Sequence, residues 1–155
     1  MPAVLLSDPP VAAPARLGPA IQSATRCRAD LLQEVLARGC PRARSMVGAG
    51  HGFRLAETSA AGAWFEAALE LLRLERPGWQ LRRLVQADGQ WHCALGRQPL
   101  LPLELDDLAE ASHPDMALAV LAAVVEALAM PATEPARPAA AAPGLALRLG
   151  CDNLG

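Results

Sequence analysis

Asp88-Gly89 stands between two runs, residues 79–85 and 91–95, in which apolar and polar side chains largely alternate. An Asp-Gly pair accepts the positive φ angles of a type I′ turn, whose twist suits a right-handed β-ribbon, so the stretch reads as a hairpin. Alternation puts Trp79, Leu81 and Val85 on one face and Trp91, Cys93 and Leu95 on the matching face of the partner strand. A lone ribbon is marginal in water and needs an apolar layer against it. Before the ribbon, Thr58 or Ser59 offers an N-cap to a helix in which Ala61, Trp64, Phe65, Ala68, Leu71 and Leu72 recur at helical spacing, stopped by Pro77-Gly78. After it, Ser112 to Asp115, with Pro114 in the first turn, starts a helix over Met116–Ala129 that is apolar on most of its circumference.

Residues 56–130 therefore read as α-β-β-(β)-α, an α+β unit in which two helices cover a small antiparallel sheet. The optional third strand falls at 105–111, after a loop broken by Pro99 and Pro102. Trp64, Phe65, Leu72, Trp79, Leu81, Trp91, Cys93, Val120 and Val124 are the expected core anchors. An extra N-terminal helix is expected from Ser23 or Thr25 to about Arg38, with Leu31, Leu32, Val35 and Leu36 on one side and Gly39 and Pro41 as its stop. Gly48, Gly50 and Gly52 mark residues 41–54 as a mobile connector, and the two together make a basic segment over 23–55. Residues 1–22 carry Pro2, Pro9, Pro10, Pro14 and Pro19 and read as an extended arm. Residues 131–155 read as an Ala/Pro-rich linker and tail, with a brief strand-like alternation at Leu145-Ala146-Leu147-Arg148-Leu149.

The chain has no lysine, and arginine supplies all fourteen cations, the mark of a GC-rich coding sequence. Schiff-base chemistry, a lysine general base and the lysine of a nucleotide-binding P-loop are closed to it. The apolar fraction is 52% at a net charge of -2, which suffices for collapse. Much of that share is alanine, so the core depends on a few large side chains. No apolar run is long enough to span a bilayer. Asp8 follows Met1-Pro2-Ala3-Val4-Leu5-Leu6 closely and no cationic segment precedes them, which reads as no secretion signal and a reducing cytoplasm.

Four cysteines and three histidines raise the question of a metal. Cys27 and Cys40 lie across a predicted helix, about 20 Å apart at 1.5 Å rise per residue, too far to share a ligand or a disulfide. His92 and Cys93 are neighbours on a strand and leave opposite faces. No paired metal-ligand spacing occurs, so no metal and no cofactor is expected. Gly48-Ala49-Gly50-His51-Gly52 looks like a phosphate-cradling loop only in part, because Phe53 stands where a third glycine belongs. Charge is more informative. Residues 1–55 hold seven Arg against three acids, and residues 56–130 hold five against eleven. Arg38, Arg42, Arg44 and Arg54 on the basic side, and Glu104, Asp106 and Asp107 on the acidic side, are the candidate partner-binding residues, the basic region docking on an acidic module of its own or of a second copy.

The order α-β-β-β-α is that of the double-stranded-RNA-binding domain. That family grips phosphates through a basic start to its last helix, where this chain has Ser112-His113-Pro114-Asp115, so duplex RNA is not expected. Gly78-Trp79, the hairpin with Trp91-His92-Cys93, and Ala109-Glu110-Ala111-Ser112 running into Ala117-Leu118-Ala119 resemble the small ABA-sandwich domains of phage and prophage proteins. The resemblance implies a compact accessory domain and transfers no site residues. The expected function is a non-enzymatic interaction module, self-associating or a subunit of a larger bacterial or phage assembly, with a protein partner or a second copy and no membrane. Two alternatives stand beside it. One is an enzyme or ligand-binding protein using His51, His92 or Cys93 with the acidic cluster; the other is nucleic-acid association through residues 26–54, where Phe53 is the one aromatic available for stacking.

Overall fold

At the predicted turn Asp88 takes φ 53° and Gly89 φ 75°. In the computed structural model, which describes residues 12–131, they join β1 (Gln80–Ala87) to β2 (Gln90–Gly96) as an antiparallel pair, and β3 (Leu108–His113) adds antiparallel to β2. The sheet order is β1-β2-β3. The helices are α1 (Ala12–Ser23), α2 (Ala29–Gly39), α3 (Pro41–Gly48), α4 (Phe53–Ala60), α5 (Trp64–Glu75) and α6 (Met116–Ala129). The class is α+β. Within it, α5-β1-β2-β3-α6 follows the predicted order.

Several local expectations are overturned, each for a physical reason. The strand faces change at Arg82, where the register slips between Leu81 and Arg83. This bulge turns Leu84 toward the helices opposite Cys93, and Val85 goes to the outer face opposite His92, where it is exposed. The third strand lies at 108–113 rather than 105–111, because Leu103–Leu105 close a 3₁₀ turn first. Ser112 thus belongs to β3, and it is Asp115 that caps α6, its Oδ1 accepting from the Leu118 amide at 2.9 Å.

The helix expected from Thr58 or Ser59 is two helices. Both hydroxyls donate back to carbonyls in α4, Thr58 to Arg54 O and Ser59 to Leu55 O, instead of capping a new start. Gly62, at φ 69°, ends α4: its amide donates to Ser59 O and that of Ala63 to Thr58 O, the paired bonds of a Schellman motif. Gly50 ends α3 in the same way, with Gly50 N donating to Val47 O and His51 N to Met46 O. The glycine-rich stretch is therefore a helix cap between α3 and α4 and not a connector over 41–54. Pro41 stops α2 and also opens α3 at its first position, where the missing amide costs nothing. Neither Ser23 nor Thr25 caps α2: Ser23 is the last residue of α1, its Oγ donating to Ala20 O, and α2 begins at Ala29.

The proline-bearing arm is helical from Ala12 onward, with Pro14 in the first turn and Pro19 inside on an exposed position. Leu17 and Ile21 on this helix are fully buried. They help cover α6, which has β2 and β3 on one side and α1, α2 and α5 around the rest. A β-carbon added to Gly39 would lie 3.1 Å from a Leu17 methyl and 3.3 Å from a Leu128 methyl, so α1, α2 and α6 converge there. One buried cluster runs from Leu17 to Leu128, across the expected boundary at residue 55. Leu72, Trp79, Cys93, Val120 and Val124 lie in it, and Trp64, Phe65, Leu81 and Trp91 pack on its margin. The strand-like alternation at 145–149 lies outside the described residues.

Two neighbouring side chains at the end of α5 tie three helices together. Glu75 accepts from the Ala43 amide at 2.8 Å, capping α3, and Arg76 donates to Leu128 O and Met130 O at 3.0 Å each, capping α6. Burial holds the Glu75 carboxyl above the ordinary glutamate range, opposed by the amides of Ala43 and Arg42 and by the charges of Arg76 and Arg42. Between the unfolded and folded pKa values the folded state binds more protons, so this group's contribution declines as pH rises through that window. Replacing Glu75 with Gln keeps an acceptor for Ala43 and removes the charge. The stability of Glu75→Gln relative to wild type should therefore be greater at about pH 7 than at about pH 5, and Glu75→Ala, which loses the acceptor as well as the titration, should lie ~1 kcal/mol below Glu75→Gln at either pH. Urea midpoints at the two pH values measure both.

Candidate interaction surface

The groups with chemical reactivity are dispersed. Cys27, Cys40 and Cys93 are free thiols in the core. Burial pushes Cys27 up to about 11, with Asp115 adding to the rise. Cys40 goes up to about 12, by burial and then the Glu75 charge, and Cys93 up to about 12 by burial alone. Thiols so placed stay protonated and are poor nucleophiles. Cys151 lies outside the described residues. His51 is exposed in the α3–α4 corner and His92 is on the outer sheet face beside Val85 and Ser112. His113 is buried on the opposite face, across from Trp91, where its Nδ1 accepts from the Asp115 amide at 2.9 Å. Among the described residues no three of His, Cys, Asp or Glu are grouped to hold a metal ion. In native protein near neutral pH, Cys27, Cys40 and Cys93 should resist a thiol reagent that labels all of them in urea. Peptide mapping by mass reads this; rapid labelling of Cys93 would contradict it.

The acidic cluster divides by burial. Asp106, expected on the surface, has a side chain 0% exposed. Its Oδ2 lies 3.3 Å from Arg82 Nε, and its Oδ1 accepts from the amides of Arg97 and Gln98 at 3.3 and 3.0 Å. Arg82 is the bulge residue of β1, and the bulge aims its guanidinium into the loop that follows β2. There Nη1 donates to Pro99 O at 2.6 Å and Nη2 to Leu101 O. The β2–β3 loop is thus pinned from within by one ion pair that serves four backbone groups. Asp107 pairs with Arg97 at 2.5 Å, and Glu104 is exposed.

Between the two pinned carbonyls stands Leu100, 98% exposed, with Leu105 also exposed further along the loop. Sequence reasoning missed both. The signal for Leu100 was an apolar pair, Leu100-Leu101, bracketed by Pro99 and Pro102 in a loop, and Leu105 stood at the start of the expected strand over 105–111.

The expected basic residues lie on α2, α3 and α4. Arg38 pairs with Glu34 at 3.5 Å, and Arg44 donates to Ala37 O at 2.6 Å. Arg42 and Arg54 are exposed, and their charges reach Glu75 and Glu70 on α5. The basic segment and the acidic unit thus meet within one chain, through α3 and α4 packed on α5. At this corner Phe53, the first residue of α4, is 74% exposed, and Val47, which lies against Gly52 just before it, is also exposed. An open polar groove of about 510 Å³ lies apart from both features, between α1 and α2, with Arg28 and Asp30 paired at 3.5 Å in its wall. No helix of the described residues is long and apolar enough to cross a membrane. Comparison with known protein families, with curated proteins and with solved structures gives no match.

Proposed function

We propose that this chain is a non-enzymatic interaction module that associates with copies of itself as a subunit of a larger bacterial or phage assembly. The observation that carries the reading is Leu100, a large apolar side chain held in water on a loop whose backbone is fixed on either side of it. Covering such a side chain is worth about 1.5–3 kcal/mol. A loop already pinned loses little entropy on docking, which favours binding further. The buried, protonated thiols weigh against one alternative, an enzyme with Cys93 as nucleophile, since that chemistry needs a deprotonated cysteine near a base.

Sedimentation velocity of the full chain under reducing conditions tests the proposal. The weight-average mass should rise with protein concentration and fall back on dilution. A monomer mass at every concentration up to the solubility limit would defeat self-association.

A further inference from the structure

We infer that the copies associate head to tail: the β2–β3 loop of one molecule, presenting Leu100 and Leu105, seats on the α3–α4 corner of the next, presenting Phe53 and Val47. This deepens the self-association reading and rests on it. The large apolar side chains exposed among the described residues are Val47, Phe53, Val85, Leu100 and Leu105. Apart from Val85 on the sheet, they fall into these two groups.

The groups differ in sign. Around the corner, residues 42–57 carry Arg42, Arg44 and Arg54 against Glu57. Along the loop, residues 97–107 carry Glu104, Asp106 and Asp107 against Arg97; Asp106 is paired in the interior with Arg82 and Asp107 with Arg97, which leaves the acidic balance to Glu104. A symmetric contact of loop with loop would set Glu104 against its own copy. A symmetric contact of corner with corner would do the same with three arginines. Only the unlike juxtaposition buries apolar side chains from both groups while bringing opposite charges together, as partner surfaces do. Both surfaces are also held in shape, the loop by the Arg82–Asp106 pair and the corner by the capped end of α3. An unlike contact leaves a free loop and a free corner at the two ends of any dimer, so growth continues into a ring or a chain.

Mixing two variants tests this directly. Leu100→Asp spoils the loop and Phe53→Glu spoils the corner; both positions are exposed, so thermal melts of the variants should match wild type. Each variant alone should associate at least about thirtyfold more weakly than wild type, the loss typical of an interface anchor. An equimolar mixture should form a one-to-one heterodimer and stop there, because the intact corner of Leu100→Asp receives the intact loop of Phe53→Glu. Added salt should weaken the wild-type complex. If wild type associates but Phe53→Glu associates equally well, or the mixture gives no heterodimer, the head-to-tail inference is overturned and self-association survives. If wild type remains monomeric, the self-association reading falls and the inference with it.

Discussion

Deleting residues 1–28 is expected to abolish cooperative unfolding of the remaining chain. The segment carries Leu17 and Ile21, both fully buried, and its loss strips one side of α6, a helix buried almost all round. Truncating a single buried Leu or Ile to Ala costs ~2–5 kcal/mol, and a domain's whole stability is only about 5–15 kcal/mol. Losing both residues with their helix therefore removes a large part of the total. Ile21→Ala alone should lower stability by ~2–4 kcal/mol. Trp64, Trp79 and Trp91 all lie at the sheet and α5, away from the deletion, so their fluorescence in urea reports on the rest of the fold. A truncated chain with the midpoint of the full one would contradict the role given to α1.

The second large effect is expected at the loop clamp. Arg82→Ala leaves the fully buried Asp106 carboxylate with its charge partner gone and releases the carbonyls of Pro99 and Leu101. Breaking one side of a buried pair typically costs ~3–5 kcal/mol. Replacing both partners with apolar side chains, as in Arg82→Met with Asp106→Leu, should cost less than the two single changes together, because no charge is stranded. Gly96 belongs to the same device. A β-carbon at that position would fall on the Asp106 carboxylate and lie 2.9 Å from Arg82 Cγ, so Gly96→Ala should displace the pair and behave like its loss. A double-mutant cycle on urea midpoints measures the coupling. An Arg82→Ala variant within ~1 kcal/mol of wild type would show that the loop is not held in this way.

What could be read from the sequence was what local chemistry decides. The Asp-Gly turn, the apolar circumference of α6 and the order helix, hairpin, helix follow from short-range pattern, while the third strand was only optional and lies three residues later than expected at its start. What could not be read depends on partners distant in sequence. Arg82 sits in an ordinary alternating strand until the loop after β2 folds over it, and only then does a bulge there gain two carbonyl acceptors and a carboxylate. Asp106 looked like one of several surface acids because nothing nearby in sequence marks which of them meets a buried arginine. The prolines of the N-terminal segment argued for an extended arm, and their pattern outweighed Leu17 and Ile21. The apolar circumference of α6 asks for cover on every side, but nothing in the sequence says that α1 and α2 of the same chain supply it. Of the candidate surface, the arginines and Phe53 were visible as residues. Leu100 and Leu105 emerged only with the geometry of the loop.

Native-state hydrogen exchange tests the central claim, that the chain spends its core on itself and offers partners its loop and corner. The account predicts that the amides of Ile21 in α1, Leu71 in α5 and Val124 in α6 exchange through one shared opening, with the same free energy and the same dependence on denaturant. Exchange of Ile21 through a much easier opening, while Val124 stays protected, would contradict it. In that case α1 would be a removable cover, and the apolar side of α6 would be the surface a partner meets.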